Sequence, residues 1–436
     1  MKMHILQKTS KKQIKLKLKN NMMHSILKVK PLLMIAFLSL MISESSSGQV
    51  GKPEPFKINI PQEKLNRVLT QFENTKFPDK LTTGKWDLGT SSNFMETFRA
   101  FIIKEYDWRT EETALNKFDQ FRVNIDGYNI HYYHVKGEGN NPRPVILSHG
   151  WPGSVFEFLN IIERLTQPSK FGGNPEDALT VVIPSVPGFG WSTLAENKVI
   201  GPKTTADLYH KLMTQVLGYQ KFGAQGGDIG SLIVSQLAAR YPENVVGLHM
   251  NIIPWDWKQP ENRTPEEQAW FNNGQKFQRA QFDYFFMQAQ EPTTVAFALH
   301  DNPVGIAGWI LDKAYSWTDH EGDLTTAISI KDLATFVMIY ALTDTIDSSV
   351  WWYHGIFLEN NGIFHPTPGK KVNVPTAFAN FPKDLKNAMP PRSWVEDEYQ
   401  IVRWTEMSGG GHFAAVEKPE LFVKDVLEFF SKDIEE

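Results

Sequence analysis

The residues best suited to chemistry fall in one short run, Gly226-Gly227-Asp228-Ile229-Gly230-Ser231, between an apolar stretch and a helical one. A strand-to-helix turn of the form G-x-Nu-x-G holds one side chain up in strained backbone geometry, and its small flanking residues let the chain turn without collision. The raised residue then stands above the sheet, near the positive end of the following helix. Where the nucleophile is an alcohol, the middle residue is serine. Here it is Asp228, and no G-x-S-x-G run occurs in the chain. A carboxylate is a weak acyl-transfer nucleophile, because it merely makes an anhydride. At saturated carbon it makes an ester that water can later cleave. The substitution therefore selects an alkyl electrophile, an epoxide or an alkyl halide. The bland alternative is an aspartate acting as a helix N-cap.

Such a reaction needs an oxyanion site, a base and an orienting acid. His149-Gly150-Trp151-Pro152-Gly153-Ser154 follows the apolar run Val145-Ile146-Leu147. The backbone N–H groups of Trp151 and Ile229 are the expected oxyanion pair. His149 itself reads as structural. Among twelve histidines, His412 lies on the glycine turn Gly409-Gly410-Gly411, after a strand and before the last helix. That is the slot for a general base that follows nucleophile and acid in chain order. The acid should follow an earlier strand, and Asp384 in Phe381-Pro382-Lys383-Asp384 is best sited. Glu396, Asp397 and Glu398 are runners-up that read as a solvated charge cluster. No βαβ unit follows the late glycines, so a dinucleotide site is rejected. No His-Glu-x-x-His occurs, and His131 and His134 fall on opposite faces of a strand. Neither a cofactor nor a metal is expected.

The elements that must position these residues are visible as short apolar runs bounded by glycine or proline. Pro144–Ser148, Leu179–Pro184, Lys221–Gln225 and Val245–Ile253 read as strands. Helical patterns lie between them at Val155–Leu165, Thr204–Leu217 and Ser231–Tyr241. This alternation predicts a mostly parallel sheet with helices on both faces. Phe121–Ile125 and Tyr128–Val135 read as a hairpin around Asp126-Gly127. Residues 255–350 are helical in pattern and rich in tryptophan and phenylalanine, as a lid insertion would be. Strands resume at Val372–Asn380 and Gln400–Met407, and a last helix runs from Pro419 to about Ser431. The expected divisions are a leader at 1–50, an N-terminal extension domain at 51–140, core at 141–255, helical lid at 256–365 and core again at 366–436.

The chain has 436 residues, 41% of them apolar, and no cysteine, which removes disulfides, thiolate nucleophiles and Cys-based metal sites. The net charge of −4 hides an asymmetry: residues 1–43 hold nine lysines and no acidic residue. The remainder has 36 basic against 49 acidic residues, which does not suit a nucleic-acid partner. The apolar run 32–42 is short of the ~20 residues that span a bilayer. Basic region, short apolar run and small polar residues read together as an export signal, with Met22 or Met23 a more ordinary start. The alternative is a short membrane anchor.

Four motifs taken together resemble the microsomal type of epoxide hydrolase within the α/β-hydrolase superfamily. They are His149–Ser154, Pro184–Ser192, Gln225–Ser231 and Gly410–Ala415, and the resemblance runs from about Pro55 to the C-terminus. It implies two further catalytic residues, lid tyrosines that fall on Tyr284 and Tyr353. It also implies an epoxide as substrate, opened by Asp228 and released as a diol by water that His412 activates. Two departures stand out. Asp384 takes a position where relatives often have glutamate, and Ile229 replaces a common tryptophan, which alters the pocket wall. The expected partners are a small hydrophobic epoxide and water. The rival readings are a haloalkane dehalogenase-like enzyme with the same Asp/His pair and a non-catalytic binding protein on the same fold.

Overall fold

The computed structural model describes residues 49–80, 84–254, 263–362, 364–367, 370–386 and 389–434. The leader, with its apolar run at 32–42, lies outside these residues. Among the described residues no helix is long and apolar enough to cross a membrane.

Local sequence sets the first elements. β1 (Glu54–Phe56) is followed by α1 (Gln62–Asn74), which buries Leu65, Val68 and Phe72 along one stripe. Ser91 caps α2 (Ser92–Lys104) by accepting from the Phe94 N–H, and Asp107 caps α3 (Trp108–Leu115) through Arg109 N–H. β2 (Gln120–Ile125) and β3 (Tyr128–Val135) form the expected hairpin, with Asp126 and Gly127 both at positive φ as its tight turn requires.

The remaining strands are β4 (Arg143–Ser148), β5 (Leu179–Pro184), β6 (Phe222–Gly226), β7 (Val245–Met250), β8 (Val372–Asn380) and β9 (Tyr399–Glu406). They join one sheet in the order β1-β2-β3-β5-β4-β6-β7-β8-β9. From β5 to β9 every pairing is parallel; β1, β2 and β3 are added antiparallel at one edge. The central strands are buried on both faces, which is why they read as unbroken apolar runs. Helix α4 (Pro202–Lys211) packs on α5 (Ile229–Arg240), which crosses β6 and β7. One expectation fails locally: Val155–Leu165 is not one helix. It breaks into a 3₁₀ turn at Val155–Phe158, where Ser154 accepts from the Phe156 N–H, and a short helix at Ile162–Thr166.

Between β7 and β8 lies a layer of helices: α6 (Pro265–Gln281), α7 (Asp283–Gln290), α8 (Pro292–Leu299), α9 (Pro303–Trp317), α10 (Ile330–Thr343) and α11 (Ile346–Asn360). The N-terminal helices brace it. Trp86 stacks on Tyr315 at 4.2 Å, and the Tyr106 hydroxyl meets Thr335 Oγ1 at 3.1 Å. Residues 51–140 therefore serve two elements, helices against the helical layer and strands in the sheet. The last helix, α12 (Pro419–Glu428), packs against the 162–166 turn.

Candidate active site

Asp228 sits between β6 and α5 with φ +49° and ψ −132°, a strained conformation for a residue with a side chain. The turn is held tightly: a Cβ on Gly230 would lie 2.1 Å from the Ser148 carbonyl oxygen, so only glycine fits there. The strain lifts the Asp228 carboxylate off the backbone and points it into a cavity. Its Oδ1 accepts from the Trp151 N–H at 2.8 Å, and the Ile229 N–H bonds the same carboxylate. Its Oδ2 faces His412 Nε2 at 3.6 Å.

His412 follows β9. Its Nδ1 bonds Asp384 Oδ1 at 2.9 Å, and Asp384, 1% exposed, follows β8. Burial pushes the imidazole down, but the Asp384 charge and hydrogen bond, then Asp228, outweigh it and hold His412 at about 9. Burial also pushes the Asp228 carboxyl up, while His412 and the two backbone N–H groups pull it back. The runners-up Glu396, Asp397 and Glu398 lie on the Arg392–Glu398 helix, where Arg392 pairs with Glu396 at 2.6 Å.

Tyr284 on α7 and Tyr353 on α11 reach the same place from the helical layer. Their rings meet edge to face at 5.9 Å, and Trp151 stacks on Tyr284 at 5.3 Å. Burial first raises both phenols well above their ordinary range, followed by the Asp228 charge at Tyr284 and by Tyr284 and then Asp228 at Tyr353. Both stay protonated and can donate hydrogen bonds. The two tyrosines, Asp228, Ile229 and Leu232 line an apolar cavity closed by Phe282 and Phe285.

The structure thus brings together Asp228, Asp384, His412, Tyr284, Tyr353, Trp151 and Ile229. His149 is elsewhere engaged: Nδ1 bonds the Gly150 carbonyl at 3.0 Å and Nε2 accepts from Val186 N–H. His131 bonds Ser185 and Gln120, and His134 bonds Tyr219. Among the described residues no group of three or more His, Asp or Glu side chains could hold a metal ion.

Two carboxyls of the site escaped the sequence reading. Glu417 accepts from the N–H groups of Gly411 and Phe413, on either side of His412, and from Asp319 N–H beyond α9. Burial pushes it up to about 7 against these bonds. It ties the histidine loop to the helical layer, as does the His412 N–H bond to the Trp317 carbonyl at 2.9 Å. The second is Glu157, in the 3₁₀ turn after Ser154. Its signal in the sequence is Ser154-x-x-Glu157, a capping-box spacing.

Comparison with known proteins agrees with this geometry. Residues 53–158 match the family model described as epoxide hydrolase N terminus, and residues 143–277 match that of the alpha/beta hydrolase fold. A Stigmatella aurantiaca protein assigned as an epoxide hydrolase is 38% identical, covering 86% of this chain and 84% of the relative. Epoxide hydrolase 1 of Oryctolagus cuniculus is 33% identical, covering 86% and 88%. The crystal structure of juvenile hormone epoxide hydrolase from Bombyx mori superposes with a TM-score of 0.78 at 27% identity, covering 88% of this chain and 95% of that one. These relatives favour epoxide hydrolysis over the dehalogenase and binding-protein readings. The chain belongs to the epoxide hydrolase family and is a hydrolase of the α/β-hydrolase fold.

Proposed function

We propose that the protein converts a hydrophobic epoxide and water to a vicinal diol through a covalent ester on Asp228. One observation carries the reading: a carboxylate bound by two backbone N–H groups, with Oδ1 on the Trp151 N–H and Oδ2 turned to His412, below two phenols in an apolar cavity. Asp228 Oδ2 attacks an oxirane carbon from behind. Tyr284 and Tyr353 bond the ring oxygen and supply the proton as the C–O bond breaks, so no bare alkoxide forms in an apolar space. Oδ1 is already where the oxyanion will develop, so the Trp151 and Ile229 N–H groups need not move in the second step.

Ester formation cancels the Asp228 charge. That charge is one of those holding His412 cationic, so its loss releases the imidazole proton, which restores the phenol that protonated the ring oxygen, and leaves His412 neutral and able to act as a base. His412, oriented by Asp384, then takes a proton from water, and the oxygen attacks the Asp228 carbonyl carbon. The diol leaves and the carboxylate is restored. In this division of labour, residues 141–255 and 366–436 carry the triad and residues 256–365 carry the phenols. The phenylalanine-lined cavity supports a hydrophobic substrate.

A single turnover in heavy-oxygen water with excess enzyme tests it. The first diol is expected mostly unlabelled, with the label in the Asp228 peptide; immediate full labelling of the diol rules the ester out. Asp228→Ala is expected to abolish turnover. For residues 1–50 we propose export, on the strength of nine lysines ahead of the apolar run 32–42, with a membrane anchor as the alternative. Fractionation of cells making the full chain, with sequencing of its N-terminus, separates the two.

A further inference from the structure

The nucleophile turn and the histidine loop are mounted differently. Asp228 is held by strained backbone packed on the end of β4. The histidine loop is held by four successive N–H groups, and none of their acceptors lies on β9, the strand that carries it. Gly410 N–H donates to Asp319 Oδ2 at 2.7 Å and Gly411 N–H to Glu417 Oε2 at 3.0 Å. His412 N–H donates to the Trp317 carbonyl at 2.9 Å and Phe413 N–H to Glu417 Oε1 at 2.9 Å. Trp317 ends α9 and Asp319 lies just beyond it, so two of these acceptors belong to the helical layer. The other two belong to Glu417, whose Oε2 also accepts from the Asp319 N–H at 2.8 Å.

The fit is close. A Cβ on Gly411 would lie 2.5 Å from the Trp317 carbonyl oxygen, and Gly410 takes φ +107°, so glycine is what lets the loop reach α9. The same loop meets the acid: the Gly410 carbonyl accepts from the Lys383 N–H at 3.1 Å, one residue before Asp384. The end of α9 also touches both halves of the chemistry, with the Trp317 ring 4.7 Å from the His412 ring and 5.3 Å from the Tyr284 ring. The two half-reactions place different demands on His412. Alkylation uses only its charge, which acts over a distance and tolerates a small displacement. Proton abstraction from water needs Nε2 within hydrogen-bond reach while Nδ1 stays on Asp384, and a misplacement of about 1 Å can cost about 10²-fold.

Resting on the ester reaction above, we propose that Asp319 and Glu417 are positioning residues of the hydrolytic half-reaction: together they fix the histidine loop to the end of α9, so that the helical layer, and not β9 alone, sets where His412 Nε2 stands. Neither carboxylate touches the reacting atoms. Each acts through the backbone of Gly410 to Phe413. Both oxygens of Glu417 accept, so an amide there would turn its NH₂ toward an N–H and break one side of the latch. Asp319 accepts from the loop through Oδ2, so an amide there can keep the bond with its one oxygen.

Rapid mixing with styrene oxide, acid quench and mass analysis of the Asp228 peptide separate ester formation from ester hydrolysis. Asp319→Ala is expected to slow hydrolysis by about 10- to 100-fold with alkylation within about threefold of wild type, so that kcat and KM fall together and kcat/KM barely moves. Asp319→Asn is expected to hydrolyse at least about fivefold faster than Asp319→Ala. Glu417→Gln, which keeps the size, is expected to match Asp319→Ala, and it takes its place if that variant does not fold. A second readout needs no substrate. The proton on His412 Nδ1, bonded to Asp384, is followed as a low-field NMR resonance of the resting enzyme; it is expected to move or broaden in Asp319→Ala and to return in Asp319→Asn. Hydrolysis by Asp319→Ala within about threefold of wild type overturns the proposal, as does Asp319→Asn hydrolysing no faster than Asp319→Ala. Equal loss of both steps also overturns it, in favour of a fastening for the helical layer and nothing more, and so does an unmoved resonance. Absence of any ester in the wild type would instead sink the underlying reaction, while the resonance still decides whether the latch holds the imidazole.

Discussion

Among the described residues, His412 and His249 are both buried and each bonds a buried aspartate, and only one of them is built for chemistry. His412 bonds Asp384 at 2.9 Å; His249, on β7, bonds Asp425 of α12 at 3.1 Å. The difference lies in what the other atoms meet. His412 turns its second nitrogen to Asp228 and an open chamber. His249 Nδ1 is sealed without a protein partner among Phe422, Phe429 and Phe430. Asp384 spends one oxygen on its histidine and has no partner for the other. Asp425 is saturated by His249, Arg403 at 2.7 Å and Thr405 at 2.7 Å. A histidine–aspartate bond is thus no mark of catalysis by itself. The free face of the imidazole decides.

The comparison breaks most readily at the two histidines. His412→Gln is expected to leave alkylation in place but slow ester hydrolysis by at least about 10³-fold, so that the ester accumulates and is seen by mass analysis. His249→Gln is expected to leave kcat within about threefold and to cost about 3 kcal/mol in a denaturant melt, because it strands Asp425 in a buried network. Asp384→Asn comes next: kcat is expected to fall by about 10³-fold, since the amide stabilises the wrong tautomer. The apparent pKa of His412 should fall in the same variant, read as a shift of the pH profile of ester hydrolysis to lower pH. Tyr284→Phe and Tyr353→Phe sharpen the contrast from the other side of Asp228. Each is expected to slow alkylation by about tenfold and the pair by about 10³-fold, with hydrolysis of preformed ester unchanged.

The smallest effect concerns acid. Burial pushes Asp425 up, but the bonds from His249, Thr405 and Arg403 override it and hold the carboxyl at about 2. A folded pKa below the unfolded value of roughly 3.9 stabilises the fold at higher pH, and that part is lost as pH falls from about 4 through about 2. Asp425→Asn is expected to remove about 2 kcal/mol at neutral pH and to flatten the acid limb of stability in that window.

How far the sequence foretells this depends on the kind of signal. Asp228 and His412 were legible because glycine turns at strand ends are local, and local backbone demands leave a trace in residue type. Asp384 was separable from Glu396, Asp397 and Glu398 because it follows a strand, whereas the other three read as a solvated charge cluster. Tyr284 and Tyr353 had no such trace. Twelve tyrosines share the chain, and only resemblance picked out these two. Glu417 was missed because its place comes from tertiary enclosure, which no spacing announces, and the capping-box spacing of Glu157 says nothing of the chamber it faces. Val155–Leu165 reads as one helix because apolar periodicity continues through it, whereas the chain forms a 3₁₀ turn and a separate short helix there.

The hairpin β2–β3 has a practical meaning for anyone trimming the protein. β3 lies antiparallel along β5 and takes up the hydrogen-bonding groups of Val181, Val182 and Ile183. A shortened version starting near residue 140 would bare that rim, a sticky ribbon of valine and isoleucine ready to recruit a neighbour. Such a fragment, though it keeps Asp228, Asp384 and His412, is expected to clump rather than turn over substrate.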